Sequence, residues 1–137
     1  MILLKDLLLE MSSLNLLIPR RVEGRTEKYI QAKIRQYIKD KNVGDFDISG
    51  LKLTTLPASL KNLKIGGNFF CSYNKLTSLV GAPVSVGESF VCSVNNLDSL
   101  VGTPTSVGLD FDCRNNAVKF TEEQVRAGCD VKGKINV

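Results

Sequence analysis

Residues 69–87 read Phe-Phe-Cys-Ser-Tyr-Asn-Lys-Leu-Thr-Ser-Leu-Val-Gly-Ala-Pro-Val-Ser-Val-Gly, and residues 90–108 repeat this stretch as Phe-Val-Cys-Ser-Val-Asn-Asn-Leu-Asp-Ser-Leu-Val-Gly-Thr-Pro-Thr-Ser-Val-Gly. The two copies are offset by 21 residues. A partial copy begins at Phe111, and a longer, degenerate copy begins at Phe46. The two middle copies are similar to each other, whereas the first and last copies diverge from them. This pattern indicates a stack of repeats whose two ends are capped.

The repeated residue types have separate physical roles. In Phe-x-Cys the two apolar residues are two positions apart, so in a strand both point to one face. Stacked copies are therefore expected to place Phe on Phe and Cys on Cys. The asparagine turns the chain inward, where its amide is expected to bond backbone groups that would otherwise be buried unpaired. The matched sets are Phe69, Phe90 and Phe111; Cys71, Cys92 and Cys113; and Asn74, Asn95 and Asn116.

The unit resembles the leucine-rich repeat, whose core pattern is L-x-L-x-x-N-x-L, with Phe and Cys in the two leading apolar positions. The stretch Leu53–Leu63 is similar to the short repeats of secreted bacterial effectors. The stretches Cys71–Gly87 and Cys92–Gly108 resemble the unit of small repeat proteins encoded by tailed bacteriophages. This resemblance covers about residues 46 to 137. It implies a solenoid with a strand-lined face and an origin in a phage or prophage, and it brings no catalytic residue.

These observations predict an α+β repeat protein organised in three parts. Residues 46–120 are expected to form a short leucine-rich-repeat β-solenoid. Residues 1–45 are expected to form a helical N-terminal segment or cap, and residues 121–137 a C-terminal helix-strand cap.

The first eleven residues are apolar but are interrupted by Lys5, Asp6 and Glu10. This interruption argues against a signal peptide, and the stretch is too short to span a bilayer. We expect a helix with a wide apolar face that docks on the first repeat. Docking on a partner, on a second copy or on a membrane surface is the alternative.

A second helix is predicted from about residue 26 to residue 41, with a stop at Asn42 and Gly44. Its apolar stripe comprises Ile30, Ile34, Tyr37 and Ile38. The stripe favours a cap over the first repeat, which otherwise exposes an apolar surface and open strand edges. The alternative is a basic helix that binds phosphate backbones, together with Arg20, Arg21 and Arg25.

Net charge is +4, from 18 basic and 14 acidic residues, and residues 1–45 hold nine of the basic and six of the acidic ones. This excess is too small to indicate nucleic-acid binding by itself. The chain has no histidine, which removes the commonest metal ligand and general base. The repeated cysteines are interpreted as small buried hydrophobes in a reducing compartment. We predict no metal, no cofactor and no catalysis.

The C-terminal part begins with a helix-start pattern. Thr121 can cap the amide of Gln124, Gln124 can reach back to Thr121, and Phe120 with Val125 can form a hydrophobic staple. The alternation from Val131 to Val137 predicts one final strand that closes the stack.

Recognition in a solenoid must use the outward positions, because the repeated inward positions form the core. Phe70 and Val91 are expected to be exposed vertical neighbours, rimmed by polar residues like the anchor of an interface. The alternative is an ordinary exposed strand face or one covered by the N-terminal helices. The predicted partner-binding residues are Asn68, Phe70, Ser72, Ser89, Val91, Ser93, Asp110, Asp112 and Arg114.

The predicted function is that of a non-catalytic protein–protein interaction module of phage or prophage origin. It would bind a host or phage protein in the bacterial cytoplasm through the strand face. The first alternative is a structural or decoration protein of the virion, anchored by its N-terminal helix. The second is nucleic-acid binding through the basic N-terminal segment, with an affinity that falls steeply as salt is added.

Overall fold

The structure, a computed structural model, describes the backbone from Pro19 to Val137 and the side chains from Gly24 onward. The chain divides into two compact units, residues 1–33 and residues 34–137. The helix predicted over the first eleven residues lies outside the described part of the chain. No helix among the described residues is both long enough and apolar enough to cross a membrane.

Helix α1 runs from Pro19 to Lys39 and therefore starts before the predicted position at residue 26. Proline is favoured in the first turn of a helix, where its missing N–H costs no hydrogen bond. The helix ends at the predicted stop, because Lys41 and Asn42 adopt left-handed backbone angles with φ of 63° and 58°. In the apolar stripe Ile30, Ile34 and Tyr37 are buried, but Ile38 is 54% exposed, so the stripe is narrower than predicted.

Within residues 34–137 the strands form two open parallel sheets, and each successive layer of the chain adds one strand to each sheet. The sheets pair residues of the same repeat position, so that Phe46, Phe69, Phe90 and Phe111 are neighbours in that order. The five-stranded sheet has the order β1 (Phe46–Asp47), β3 (Phe69–Phe70), β5 (Phe90–Val91), β7 (Phe111–Asp112) and β9 (Ile135–Asn136). The four-stranded sheet has the order β2 (Lys64–Ile65), β4 (Ser85–Val86), β6 (Ser106–Val107) and β8 (Asp130–Val131). The architecture is α+β with repeat-like stacking.

A column of phenylalanine rings runs through the core. The rings of Phe46 and Phe69 are stacked with centroids 5.9 Å apart, and those of Phe69 and Phe90 with centroids 5.5 Å apart. Phe90 and Phe111 follow at 5.2 Å with a tilt of 38°. All four side chains are buried, as are the cysteines two positions after the last three. The prediction of Phe on Phe is confirmed.

Tyr37 closes the N-terminal end of this column. Its ring meets Phe46 edge-on, with centroids 5.4 Å apart. Its hydroxyl donates to the carbonyl of Gly44 at 2.7 Å and accepts from the N–H of Gly66 at 3.0 Å. The last turns of α1 therefore both cover the terminal ring and satisfy backbone groups of the first layer.

The repeated asparagines form a second column. Asn95 donates from its amide nitrogen to the carbonyl of Cys92 in its own layer and to that of Cys71 in the layer before. Its amide oxygen accepts the N–H of Leu76 at 3.0 Å. Asn74 and Asn116 make equivalent bonds. The asparagines thus pair backbone groups that the core would otherwise leave unpaired, as predicted.

Two features of the backbone keep the layers in contact. Gly66, Gly87 and Gly108 are stacked so closely that a Cβ atom on Gly87 would collide with the backbone carbonyl of Gly66. Left-handed backbone angles recur just before the asparagine column, and Val94 adopts one with φ of 54°. The equivalent residues in the other layers are Gly50, Tyr73 and Asn115.

The C-terminal part contains helix α2 (Glu122–Gly128), whose capping box between Thr121 and Gln124 is confirmed. The prediction of one final strand is wrong, because β8 and β9 are separate and join different sheets. Gly133 lies between them and donates to the carbonyl of Leu109 at 2.9 Å, so the chain turns a corner there. The tail thus forms a further layer of the stack.

Candidate functional site

The outward side chains of the five-stranded sheet form the candidate binding surface. Phe70 and Val91 are direct neighbours in register on β3 and β5, as predicted. Both are only partly exposed, whereas the sequence predicted that they are exposed. Asp112 follows Val91 on the next strand. The surface therefore has an apolar centre of two adjacent side chains.

The residues that precede each strand bond along the stack. The amide oxygen of Asn68 accepts the backbone N–H of Ser89 at 2.8 Å, and the hydroxyl of Ser89 accepts the N–H of Asp110 at 3.2 Å. Asp110 in turn accepts the N–H of Lys134 at 2.9 Å, and Asp45 accepts that of Asn68 at 2.8 Å. We call Asp45, Asn68, Ser89 and Asp110 the flanking ladder.

Three of the predicted partner-binding residues thus hold the layers together. The sequence signal was a small polar residue immediately before each repeated Phe, always of a type whose oxygen can accept a hydrogen bond. That signal does not distinguish a bond to the next layer from a bond to a partner.

Ser72 and Ser93 follow strands β3 and β5 along the chain, and their hydroxyl oxygens lie 3.0 Å apart. Ser72 is 7% exposed, so the prediction that it lies open on the binding surface is wrong. Its hydroxyl is directed along the stack toward Ser93 instead of outward. Ser93 remains partly exposed.

Asp112 on β7 and Arg114 form a bidentate ion pair. The guanidinium donates to the two carboxylate oxygens at 3.0 and 2.7 Å. Partial burial by itself would raise the pKa of Asp112, but the hydrogen bonds from Arg114 outweigh it and hold that pKa below its ordinary value. The carboxylate is therefore engaged by its neighbour, as the carboxylate of Asp110 is engaged by the N–H of Lys134.

The four cysteines are free and buried. Removal from water raises the pKa of Cys71 and Cys92 well above the ordinary value. It raises the pKa of Cys113 and of Cys129 to about 11. Thiolates are the reactive form, so these side chains behave as small apolar groups. Among residues 19–137, no group of three His, Cys, Asp or Glu side chains is placed to hold a metal ion.

The basic side chains of α1 are only partly described. Arg20 and Arg21 lie in the helix, but their side chains are outside the described part of the chain. Arg25 is half-buried, while Lys28, Arg35 and Lys39 are exposed. The structure therefore does not assemble the three predicted arginines into a described site.

A cavity of about 340 Å³ lies at the C-terminal end of the asparagine column and had no signal in the sequence. It is lined by residues 113–119 and Val137. No protein-family model matches this chain, and no curated protein or solved structure matches it either.

Proposed function

We propose that this chain is a short leucine-rich-repeat solenoid of phage or prophage origin that binds a host or phage protein without chemistry of its own. The solenoid reading is supported by the pairing of equivalent repeat positions in both sheets. The binding function is supported above all by one observation, which is the adjacency of Phe70 and Val91 at the centre of the strand face. Adjacent apolar side chains within a polar rim are typical of interface centres.

The polar rim strengthens this proposal. Asn68, Ser89 and Asp110 already accept backbone N–H groups of the protein itself. Asp112 is likewise held by Arg114. A partner that covers such groups displaces water from them without leaving them unpaired, and therefore avoids much of the cost of burying polar atoms. The net gain then comes from completing the burial of Phe70 and Val91.

The proposal is tested by capture of partners from bacterial lysate with the tagged chain, beside two double variants. Phe70→Asp with Val91→Asp places two charges in the proposed interface. Val80→Asp with Val101→Asp is the matched control, because those valines are 57% and 62% exposed and lie outside the strands. Circular dichroism establishes that each variant is folded.

A protein captured in stoichiometric amount by the parent and the control, but lost by the Phe70 and Val91 variant, supports the strand face as the binding site. Its affinity is then measured with purified components. The proposal is contradicted where the partner remains bound to the Phe70 and Val91 variant, which would move the site to the N-terminal helices.

The two alternative functions, virion decoration and nucleic-acid binding, predict different experimental results. A virion decoration protein is present at a fixed copy number in purified particles, whereas a soluble factor in the host cytoplasm is absent from them. A nucleic-acid-binding protein retains oligonucleotides at low salt and releases them as salt increases. It also loses them when Arg20, Arg21 and Arg25 are neutralised.

A further inference from the structure

The five-stranded sheet is acidic on a chain that is basic overall. Its strands, together with the two residues on either side of each, contain five acidic and two basic residues. This is a net charge of −3, against +4 for the whole chain. The basic residues are Arg114 and Lys134, and the acidic ones are Asp45, Asp47, Glu88, Asp110 and Asp112.

The negative charges lie on both sides of the apolar centre. Asp47 on β1 is paired in register with Phe70, and Asp112 on β7 is paired with Val91. Each of these two outer strands is also preceded by an aspartate. Since neighbouring strands are about 4.8 Å apart, the two acidic layers are separated by roughly 14 Å. The sheet therefore presents two adjacent apolar side chains between two acidic layers.

Three of these carboxylates are held in place by one oxygen only. Oδ1 of Asp45 accepts the N–H of Asn68 at 2.8 Å, and Oδ1 of Asp110 accepts that of Lys134 at 2.9 Å. Oδ1 of Asp47 accepts a backbone N–H at 2.9 Å in the same way. Within residues 24–137, whose side chains the structure describes, the Oδ2 atoms of all three accept no hydrogen bond and form no ion pair.

The stack does not require a negative charge before β1 and β7. Asn68 and Ser89 occupy the same position in the two layers between, and their neutral oxygens accept N–H groups of the next layer at 2.8 and 3.2 Å. A neutral oxygen therefore suffices for the hydrogen bond that Asp45 and Asp110 make. Their charge is left for a further group, and the bond to the backbone already orients the carboxylate that carries it.

We infer, on the basis of the proposed function, that the partner bound by this sheet is a basic protein segment in which lysine or arginine flanks apolar side chains on both sides. The apolar side chains cover Phe70 and Val91. The cationic groups reach the free oxygens of Asp45, Asp47 and Asp110, so that the charges of the two surfaces are complementary. The same carboxylates repel a phosphate backbone, which disfavours nucleic acid as the ligand of the sheet.

The test is a titration of the ¹⁵N-labelled full chain with the blocked peptide Lys-Lys-Leu-Ala-Phe-Leu-Ala-Lys-Lys and with its counterpart that has glutamate in place of each lysine. The lysine peptide should cause saturable shifts at the amides of Phe70 and Val91, with an affinity that falls as salt is added. The glutamate peptide should cause much smaller shifts. Because the whole chain has a charge of +4, a general attraction between charges would favour the glutamate peptide instead.

Two double variants complete the test. Asp45→Asn with Asp110→Asn removes two charges but keeps an oxygen for the backbone N–H, as Asn68 does. It should weaken the binding of the lysine peptide by about fivefold while the melting temperature stays close to that of the parent. Asp98→Asn with Glu123→Gln makes the same change in net charge at exposed positions outside the sheet, and should leave the affinity unchanged.

The proposal is overturned by equal binding of the glutamate peptide, or by undiminished binding of the lysine peptide to the Asp45 and Asp110 variant. In both cases shifts at Phe70 and Val91 would still support the proposed function. It is also overturned where neither peptide shifts those two amides, and the capture of partners from lysate then decides the proposed function by itself.

Discussion

Asn95 holds Leu76 across the boundary between two layers, because its amide oxygen accepts the backbone N–H of Leu76 at 3.0 Å. The same carboxamide donates to carbonyls on both sides of that boundary. One buried polar side chain therefore satisfies groups in two layers at once. Its removal should have a larger effect than the loss of an ordinary surface hydrogen bond.

Replacement of Asn95 by alanine should lower the free energy of unfolding by about 3 kcal/mol, because it leaves buried backbone groups unpaired. Chemical denaturation measures this change. Asn96→Ala is the matched control, since Asn96 is exposed, and it should change the stability by less than about 0.5 kcal/mol. Equal effects at the two positions would show that the column does not stabilise the stack.

Replacement of Val94 by asparagine should raise the free energy of unfolding by about 1 kcal/mol. A β-branched residue is strained at a positive φ, whereas asparagine tolerates it and already occupies the equivalent position at residue 115. Val101→Asn is the control, because Val101 is exposed and has no positive φ. The melting temperature of both variants measures the effect, and a loss of stability in Val94→Asn would contradict the assigned strain.

Replacement of Gly87 by alanine should cost several kcal/mol or prevent folding, because the added Cβ collides with the backbone carbonyl of Gly66. Backbone cannot move aside as a flexible side chain does. Gly24→Ala is the control, since no atom of the described residues lies within 4 Å of its Cβ position and alanine is the better helix former. Thermal unfolding at the native level for Gly87→Ala would contradict the close stacking of the glycine column.

The cysteines predict a loss of stability at alkaline pH. Burial raises the pKa of Cys113 and Cys129 to about 11, whereas an unfolded thiol ionises near 9.0. Above that lower value the unfolded chain releases protons that the folded chain retains. The free energy of unfolding should therefore fall by about 1.4 kcal/mol per pH unit for each buried thiol.

Chemical denaturation between pH values of about 8 and 10 measures this slope. The variant Cys92→Ala should have a shallower slope, because one buried thiol is removed. Thiol reagents should label the native chain slowly and label all four cysteines after unfolding. A free energy that does not change over this range would contradict the burial of the thiols.

The register of the stack was predictable because the repeat spacing places Phe69, Phe90 and Phe111 at equivalent positions, and only one strand face can bury them. The roles of the small polar residues were less predictable. A serine or an aspartate beside a strand can face a partner or the next layer. The amino-acid type alone does not distinguish these two directions. The sequence therefore predicts partner binding by Ser72, Asn68, Ser89 and Asp110, whereas their hydrogen bonds run along the stack.

The prediction of one final strand at the C-terminus is wrong for a different reason. Its alternating apolar residues follow the period of a strand, and the glycine at position 133 did not identify the corner that separates β8 from β9. Val131 and Ile135 each lie 24 residues after their partners Val107 and Phe111, so the repeat spacing of 21 does not reveal this layer.

The equivalence of the inner layers has an evolutionary consequence. Asn74, Asn95 and Asn116 meet the same kinds of groups on the same sides, at intervals of one repeat. An in-frame duplication of residues 77–97 would place new side chains against neighbours that already accept them. Tyr37 and the strands β8 and β9 would remain at the two ends of the stack. The stack can therefore change length by a whole repeat without loss of a column, whereas an insertion of one or two residues would misalign every column at once.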